Sequence, residues 1–242
     1  LLGYLVWQQI LTIYVVVPLL LTLLVYWAFK NIGNTAEARE ATGRQQLQAT
    51  KELVKIPALW FITVVGGLRG TAQVSIMTFF AIYATQILGL GFEIVGILMG
   101  LLLATGIVST PVTGYLSDKY GRKQILVPGL FLLAITSIAL PFSGGNLFIL
   151  VPVLLLLGTF LFGDQPILTA AALDIVGEGV AATTMGFLGA ARAGMVFVGI
   201  LVSGWISENY GITYTFYFVS AIFVLALILI IFTPIGKRQH DH

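Results

Sequence analysis

Cysteine is absent, histidine occurs only at His240 and His242 in the tail, and charged residues make up just 9% of the 242 positions. Each shortage excludes something. Without cysteine there is no disulfide framework, no thiolate metal site and no cysteine nucleophile. The two histidines lack any metal-ligand spacing, so neither a metal nor a cofactor is expected. The net charge of +2 is not gathered into a basic patch, which excludes nucleic acid as an expected partner. Soluble domains carry about 25% charged residues. A chain with 9% charged and 58% hydrophobic residues and a mean hydropathy of +1.01 reads instead as an all-α integral membrane protein. Leu1 falls inside an apolar run without a basic leader or cleavage pattern, which reads as part of a longer protein rather than as a signal peptide.

A bilayer core takes about 20 apolar residues per helix. Seven runs satisfy this: roughly 7 to 29, 57 to 87, 93 to 115, 124 to 142, 147 to 175, 182 to 206 and 213 to 234. Of the 12 Lys and Arg residues, Lys30, Arg39, Arg44, Lys51, Lys55, Lys119, Arg122, Lys123, Lys237 and Arg238 fall outside the runs, and alternation of the spans puts all of them on one side. The opposite loops, near Gly89 to Glu93, Pro141 to Asn146 and Glu208 to Thr213, contain no Lys or Arg. Because basic loops stay in the cytoplasm, the expected topology is an outside N-terminus and a cytoplasmic C-terminus, in a bacterial inner or plasma membrane.

The chain also repeats itself. Gly114 to Lys123 reads Gly-Tyr-Leu-Ser-Asp-Lys-Tyr-Gly-Arg-Lys, and Gly204 to Gly211 reads Gly-Trp-Ile-Ser-Glu-Asn-Tyr-Gly, in the same frame. Upstream, Val95 to Leu98 aligns with Met185 to Leu188, so helix, tip and following helix are duplicated. The first tip carries Lys119, Arg122 and Lys123 where the second has Asn209, Ile212 and Thr213, which predicts opposite membrane faces and hence inverted-topology repeats. Gly121 suits a turn needing positive φ, and Gly114 leaves room for a neighbouring helix. Other glycines, Gly66, Gly67, Gly70, Gly96, Gly100, Gly106, Gly186, Gly189, Gly194 and Gly199, are spaced for close helix packing. Pro111, Pro128, Pro152 and Pro166 are candidate kinks.

Gly114, Leu116, Asp118, Gly121, Arg122 and Lys123 match the loop motif of the major facilitator superfamily, Gly-x-Leu-Ala-Asp-Arg-x-Gly-Arg-Lys, with Ser117 and Lys119 as departures. The sequence therefore resembles the C-terminal portion of such a transporter. The resemblance implies seven transmembrane helices corresponding to helices 6 to 12, namely a six-helix half made of inverted three-helix repeats plus the helix preceding it. Residues 1–30 would be the last helix of the N-terminal half, 31–56 the central cytoplasmic loop, with alternating charges that suit a surface helix and a solvated linker equally, 57–236 the C-terminal domain and 237–242 the tail. Trp7-Gln8-Gln9 resembles only weakly the start of helix 6. The resemblance also implies a conformational latch made by Gly114, Asp118, Gly121, Arg122 and Lys123. The acid would face a helix N-terminus, and the arginine would reach an acid at the cytoplasmic end of another helix, here Asp174 or Glu178. Membrane anchoring alone accounts for Lys119 and Lys123 but not for Asp118.

Arg69, Asp164 and Arg192 lie near the middle of their runs, where each costs on the order of 2.5 to 3.5 kcal/mol on insertion scales. They must pair or face a wet cavity. With Gln73, four residues after Arg69, and Gln165 beside Asp164, they are the candidates for a substrate or proton site. Two arginines favour an anionic solute, while an Asp164–Arg192 ion pair that only ties helices together is the plainer alternative. Phe79, Phe80 and Tyr83 could line the outer cavity, though packing is the commoner role for such residues. The expected function is secondary active transport of a small solute, such as an organic anion, by alternating access with proton coupling. Its partners would be the solute, protons, lipid and the N-terminal half of the same transporter. Alternatives are a multidrug/proton antiporter of the same family and a seven-helix receptor. A retinal protein would need a lysine in the last run, which has none, and no His cluster, Cys or paired acids suggest an enzyme.

Overall fold

The computed structural model describes residues 7–29, 53, 55–176 and 181–233, all helices and short connections. Most of the expected central loop, Glu178 and the tail lie outside the described residues, as do the side chains of Trp7, Gln8 and Gln9. The chain divides into two compact units, Leu1–Leu47 and Gln48–His242. The first contains α1 (Trp7–Phe29), whose described side chains are all exposed and whose Thr22 hydroxyl donates to the Pro18 carbonyl at 2.7 Å.

The second unit holds α2 (Pro57–Gln86), α3 (Phe92–Tyr120), α4 (Arg122–Phe142), α5 (Leu147–Leu161), α6 (Asp164–Val176), α7 (Ala181–Tyr210) and α8 (Ile212–Phe232). Pro57 starts α2 at a position where its missing N–H costs nothing. Asn146 caps α5 by accepting from the Phe148 N–H at 3.0 Å. Among the described residues, five segments are long and apolar enough to cross a membrane: α3, α4, α5 with α6, α7 and α8. α2 has the length, 30 residues or about 45 Å, but not the apolarity. It is the central helix, with half its residues buried among α7, α8 and α6, so protein rather than lipid surrounds its polar groups.

The run expected at 147 to 175 is one span broken in two. Pro166 has no N–H to return to the Phe162 carbonyl, and its ring crowds that carbonyl, so the helical ladder stops at Phe162–Gly163 and restarts at Asp164. Gly163 sits against the Thr113 side chain of α3, where a Cβ would not fit.

The duplication is visible in the backbone. Gly121 has φ +107° and ψ 144°, and Gly211 has φ +99° and ψ 152°. Both glycine N–H groups close the preceding helix, onto Ser117 at 3.0 Å and Ser207 at 3.1 Å. Three spans separate the two tips, an odd number, so they stand at opposite ends of the bundle and the repeats are inverted. The side chains agree: the first tip touches the ends of α6 and α8, whereas Tyr83 near the end of α2 donates to the Pro141 carbonyl at the other end of α4.

Close helix approach occurs at some of the expected glycines. A Cβ on Gly70 would lie 2.7 Å from Arg192 Nε, and Gly67, Gly106 and Gly199 are equally tight against Met195, Phe162 and Thr71. At this α2–α7 crossing the Ser75 and Ser203 hydroxyls share a hydrogen bond of 2.8 Å and Thr71 donates to the Met195 carbonyl at 3.1 Å. Interhelical bonds of this kind contribute on the order of 0.6 kcal/mol each in membranes. Gly66, Gly96, Gly100, Gly186, Gly189 and Gly194 differ from expectation, because a Cβ there would meet open space. So would one on Gly114, which therefore packs no neighbouring helix among the described residues. Phe79, Phe80 and Tyr83 are core residues, and Tyr83 stacks edge-on with Phe216 at 5.2 Å.

Candidate functional site

Breaking a span inside an apolar bundle frees backbone groups that must find partners. Arg69 of α2 supplies them. Its Nη2 donates to the Leu161 carbonyl at the end of α5, and its Nε stands in ion-pair contact with Asp164, the first residue of α6. Each charge sits where the half-helix dipoles favour it, the cation at a C-terminus and the carboxylate at an N-terminus. Both side chains are fully enclosed, at 0% and 1% exposure. Beyond this ion-pair contact, Arg69 Nε and Nη1 and both Asp164 oxygens have no hydrogen-bond partner among the described residues.

The expected alternative pairing of Asp164 with Arg192 is not formed, because Arg69 reaches the carboxylate from the helix packed against α6. Arg192 of α7 donates instead to Gln73 Oε1 at 3.1 Å. The two arginines border a cavity of about 210 Å³, with Gln165 as a further polar wall and Ile62, Leu168 and Met185 among the apolar ones. Asp164 and Gln73 stand outside that lining, each behind an arginine that belongs to it. Of the sequence candidates, five therefore converge on one place: Arg69, Gln73, Asp164, Gln165 and Arg192. Their charges leave one surplus positive.

The loop-tip candidates form a separate cluster. Arg122 Nη1 bonds to Asp118 and, at 2.9 Å, to the Ser117 hydroxyl, while Nε reaches Asp174 Oδ2 at 3.3 Å. Asp118, 63% exposed, hydrogen-bonds to Arg122 and to no helix N-terminus among the described residues. Lys123, accounted for in the sequence as a membrane anchor, has a definite partner: its ammonium donates to the carbonyls of Ile231 and Thr233 and so caps the C-terminus of α8. Lys119 lies over the Tyr120 ring at 5.3 Å.

Sequence reasoning missed the freed Leu161 carbonyl and the Lys123 cap. The first had a signal, Gly163 three residues before Pro166 within a long apolar run. The second had none, since nothing local in sequence brings residue 123 to residue 231.

Two inverted helix–tip–helix units, the basic loop motif at one tip and a cavity bordered by two arginines inside an otherwise apolar bundle define a multi-span helical membrane protein built on inverted repeats. Residues 1–200 match the family model of the Major Facilitator Superfamily, and the chain belongs to that family. It is similar to the multi-drug resistance efflux pump PmrA of Streptococcus pneumoniae, 29% identical over 190 residues that cover 74% of this chain and 46% of the pump. An uncharacterized transporter of Buchnera aphidicola is 28% identical over 177 residues, 72% of this chain and 44% of that protein. The PmrA homolog of Lactococcus lactis is 30% identical over 143 residues, 57% and 35% of the respective chains. The chain thus spans less than half the length of the curated relatives it matches.

Proposed function

We propose that the chain is the C-terminal part of a secondary active transporter that moves a small solute by alternating access, with 57–236 as its six-helix domain, 1–30 as the last helix of the other half and 31–56 as the cytoplasmic connection. The cavity bordered by Arg69, Gln165 and Arg192 carries this proposal. Ionisable groups within spans are expensive and are retained where they serve a pathway. The surplus positive charge favours a solute bearing a carboxylate or phosphate. Asp164 is the only buried acid among the described residues, and taking up a proton would remove the charge that holds Arg69, which supports proton coupling. Arg122, by tying the first tip to Asp118 and Asp174, supports a latch at the cytoplasmic end.

A multidrug exporter is the second reading, favoured by the names of the Streptococcus and Lactococcus relatives. Proteoliposomes of the complete protein separate the two. An imposed pH gradient should drive organic-anion flux in the parent, and Asp164→Asn should leave exchange intact while making it indifferent to the gradient. Gradient-driven flux of lipophilic cations, unchanged in Arg192→Gln, would replace the anion assignment with the exporter. Asp118→Asn should slow transport more than Lys119→Gln, and equal rates in the two would remove the latch.

A further inference from the structure

We propose that the cavity binds a small organic carboxylate about one ring in bulk, its carboxylate held between Arg69 Nη1 and the Arg192 guanidinium and its hydrocarbon against Ile62, Leu168 and Met185; this rests on the transport site proposed above. Three observations converge on that class of ligand.

The first is an unmet donor. Arg69 gives Nη2 to Leu161 and pairs with Asp164, yet its Nε and Nη1 are buried without a hydrogen-bond partner among the described residues, on a residue that borders the cavity. A buried donor left unsatisfied is costly, so a ligand acceptor placed there gains more than one in open water. The second is charge. Asp164 neutralises Arg69, but Arg192 is held by a neutral amide, Gln73, leaving one positive charge for a ligand to balance. A monoanion does so, a cation is repelled, and a planar guanidinium fork suits the two oxygens of a carboxylate. The third is size and lining. An apolar cavity of about 150 Å³ takes benzene, and about 210 Å³ leaves space for one ring and its carboxylate. The apolar side chains favour a ligand with hydrocarbon over one that is charge alone, such as inorganic phosphate.

Benzoate is the probe, and benzyl alcohol is its neutral counterpart with the same ring. In calorimetric titrations of the complete protein in nanodiscs, benzoate should bind about tenfold or more tightly than benzyl alcohol, the margin of one charge-assisted contact. Arg192→Gln should erase that preference while benzyl alcohol binding persists. Changing Arg69→Gln together with Asp164→Asn removes the buried pair without stranding either charge, and benzoate should weaken about tenfold. Should Arg192→Gln fail to fold, Arg192→Lys keeps the charge and loses the fork, and must still weaken benzoate several-fold. Equal affinity for the two probes, or benzoate affinity unchanged in the Arg192 variants, overturns the carboxylate clamp. Counterflow of labelled benzoate in proteoliposomes separates this failure from that of the transporter itself. Binding without exchange sinks the transport reading and leaves the clamp standing, whereas exchange of some other solute without benzoate binding does the reverse.

Discussion

The two tips of the repeat share a backbone and differ in almost everything attached to it. Gly121 and Gly211 agree within about 10° in both dihedral angles, and each closes its helix onto a serine carbonyl four residues back. Around the first, charges form a network: Arg122 joins Asp118 to Asp174, and Lys123 holds the last carbonyls of α8. Around the second, rings take their place. Trp205, Tyr210, Tyr214 and Tyr217 run in edge and tilted contacts at 5.6, 6.4 and 5.8 Å, and Asn209 donates to the Trp205 carbonyl. Trp and Tyr belong at a membrane interface, as do lysine and arginine on the cytoplasmic side. The repeat thus preserves the turn and varies its surface chemistry. One tip ties helix ends together electrostatically, and the other stacks aromatic rings of the kind that suit a membrane interface.

The largest effect expected of this difference is all-or-none. Since the chain has no natural cysteine, Lys119→Cys and Asn209→Cys give clean single labels. An impermeant reagent should modify the first only from the cytoplasmic side and the second only from outside, and labelling from a common side would end the comparison. Next in size comes the turn. Positive φ with ψ near 150° is close to glycine-only territory. Gly121→Ala and Gly211→Ala should each lower stability in detergent by about 1 to 3 kcal/mol, and a loss at one tip only would mean that the shared backbone is coincidental.

The network itself should contribute less. Arg122→Gln, which cuts the tie to Asp174, should cost about 1 kcal/mol because the cluster meets solvent, and the loss should shrink in high salt. An undiminished loss at high salt would assign the stabilisation to packing of the side chain instead. Smallest is Lys123→Gln, about 0.3 to 1 kcal/mol for a cation at a helix C-terminus. It should appear as faster amide exchange confined to the last turn of α8, and exchange unchanged there would remove the cap.

Much of this architecture could be read in one dimension. Apolar run lengths, the duplicated tip and the one-sided basic residues lead directly to inverted repeats, and the central charges mark the cavity. What escaped the sequence has physical reasons. In a bilayer a turn need not be polar if protein covers it, so the hydropathy of Phe160, Leu161 and Phe162 hides the break that Gly163 and Pro166 create. Partner choice escaped too. Asp164 had two arginines within plausible reach, and only the packing of α2 against α6 selects Arg69. Glycine spacing overstated packing: on α2 and α7, Gly66 and Gly189 line the cavity while Gly67, Gly70 and Gly199 make the helix contacts.

The grip of Arg69 on both sides of the interrupted span makes it a rivet. One guanidinium, anchored on α2, holds the last carbonyl of the upstream half and the first side chain of the downstream half. Displacement of α2 along its axis therefore drags both pieces together, as though they were one rod. Protonating Asp164 withdraws half of that fastening and turns the rod into a jointed one, free to bend at Gly163. The same side chain that borders the cavity thus decides whether the broken span behaves as a lever or as an elbow.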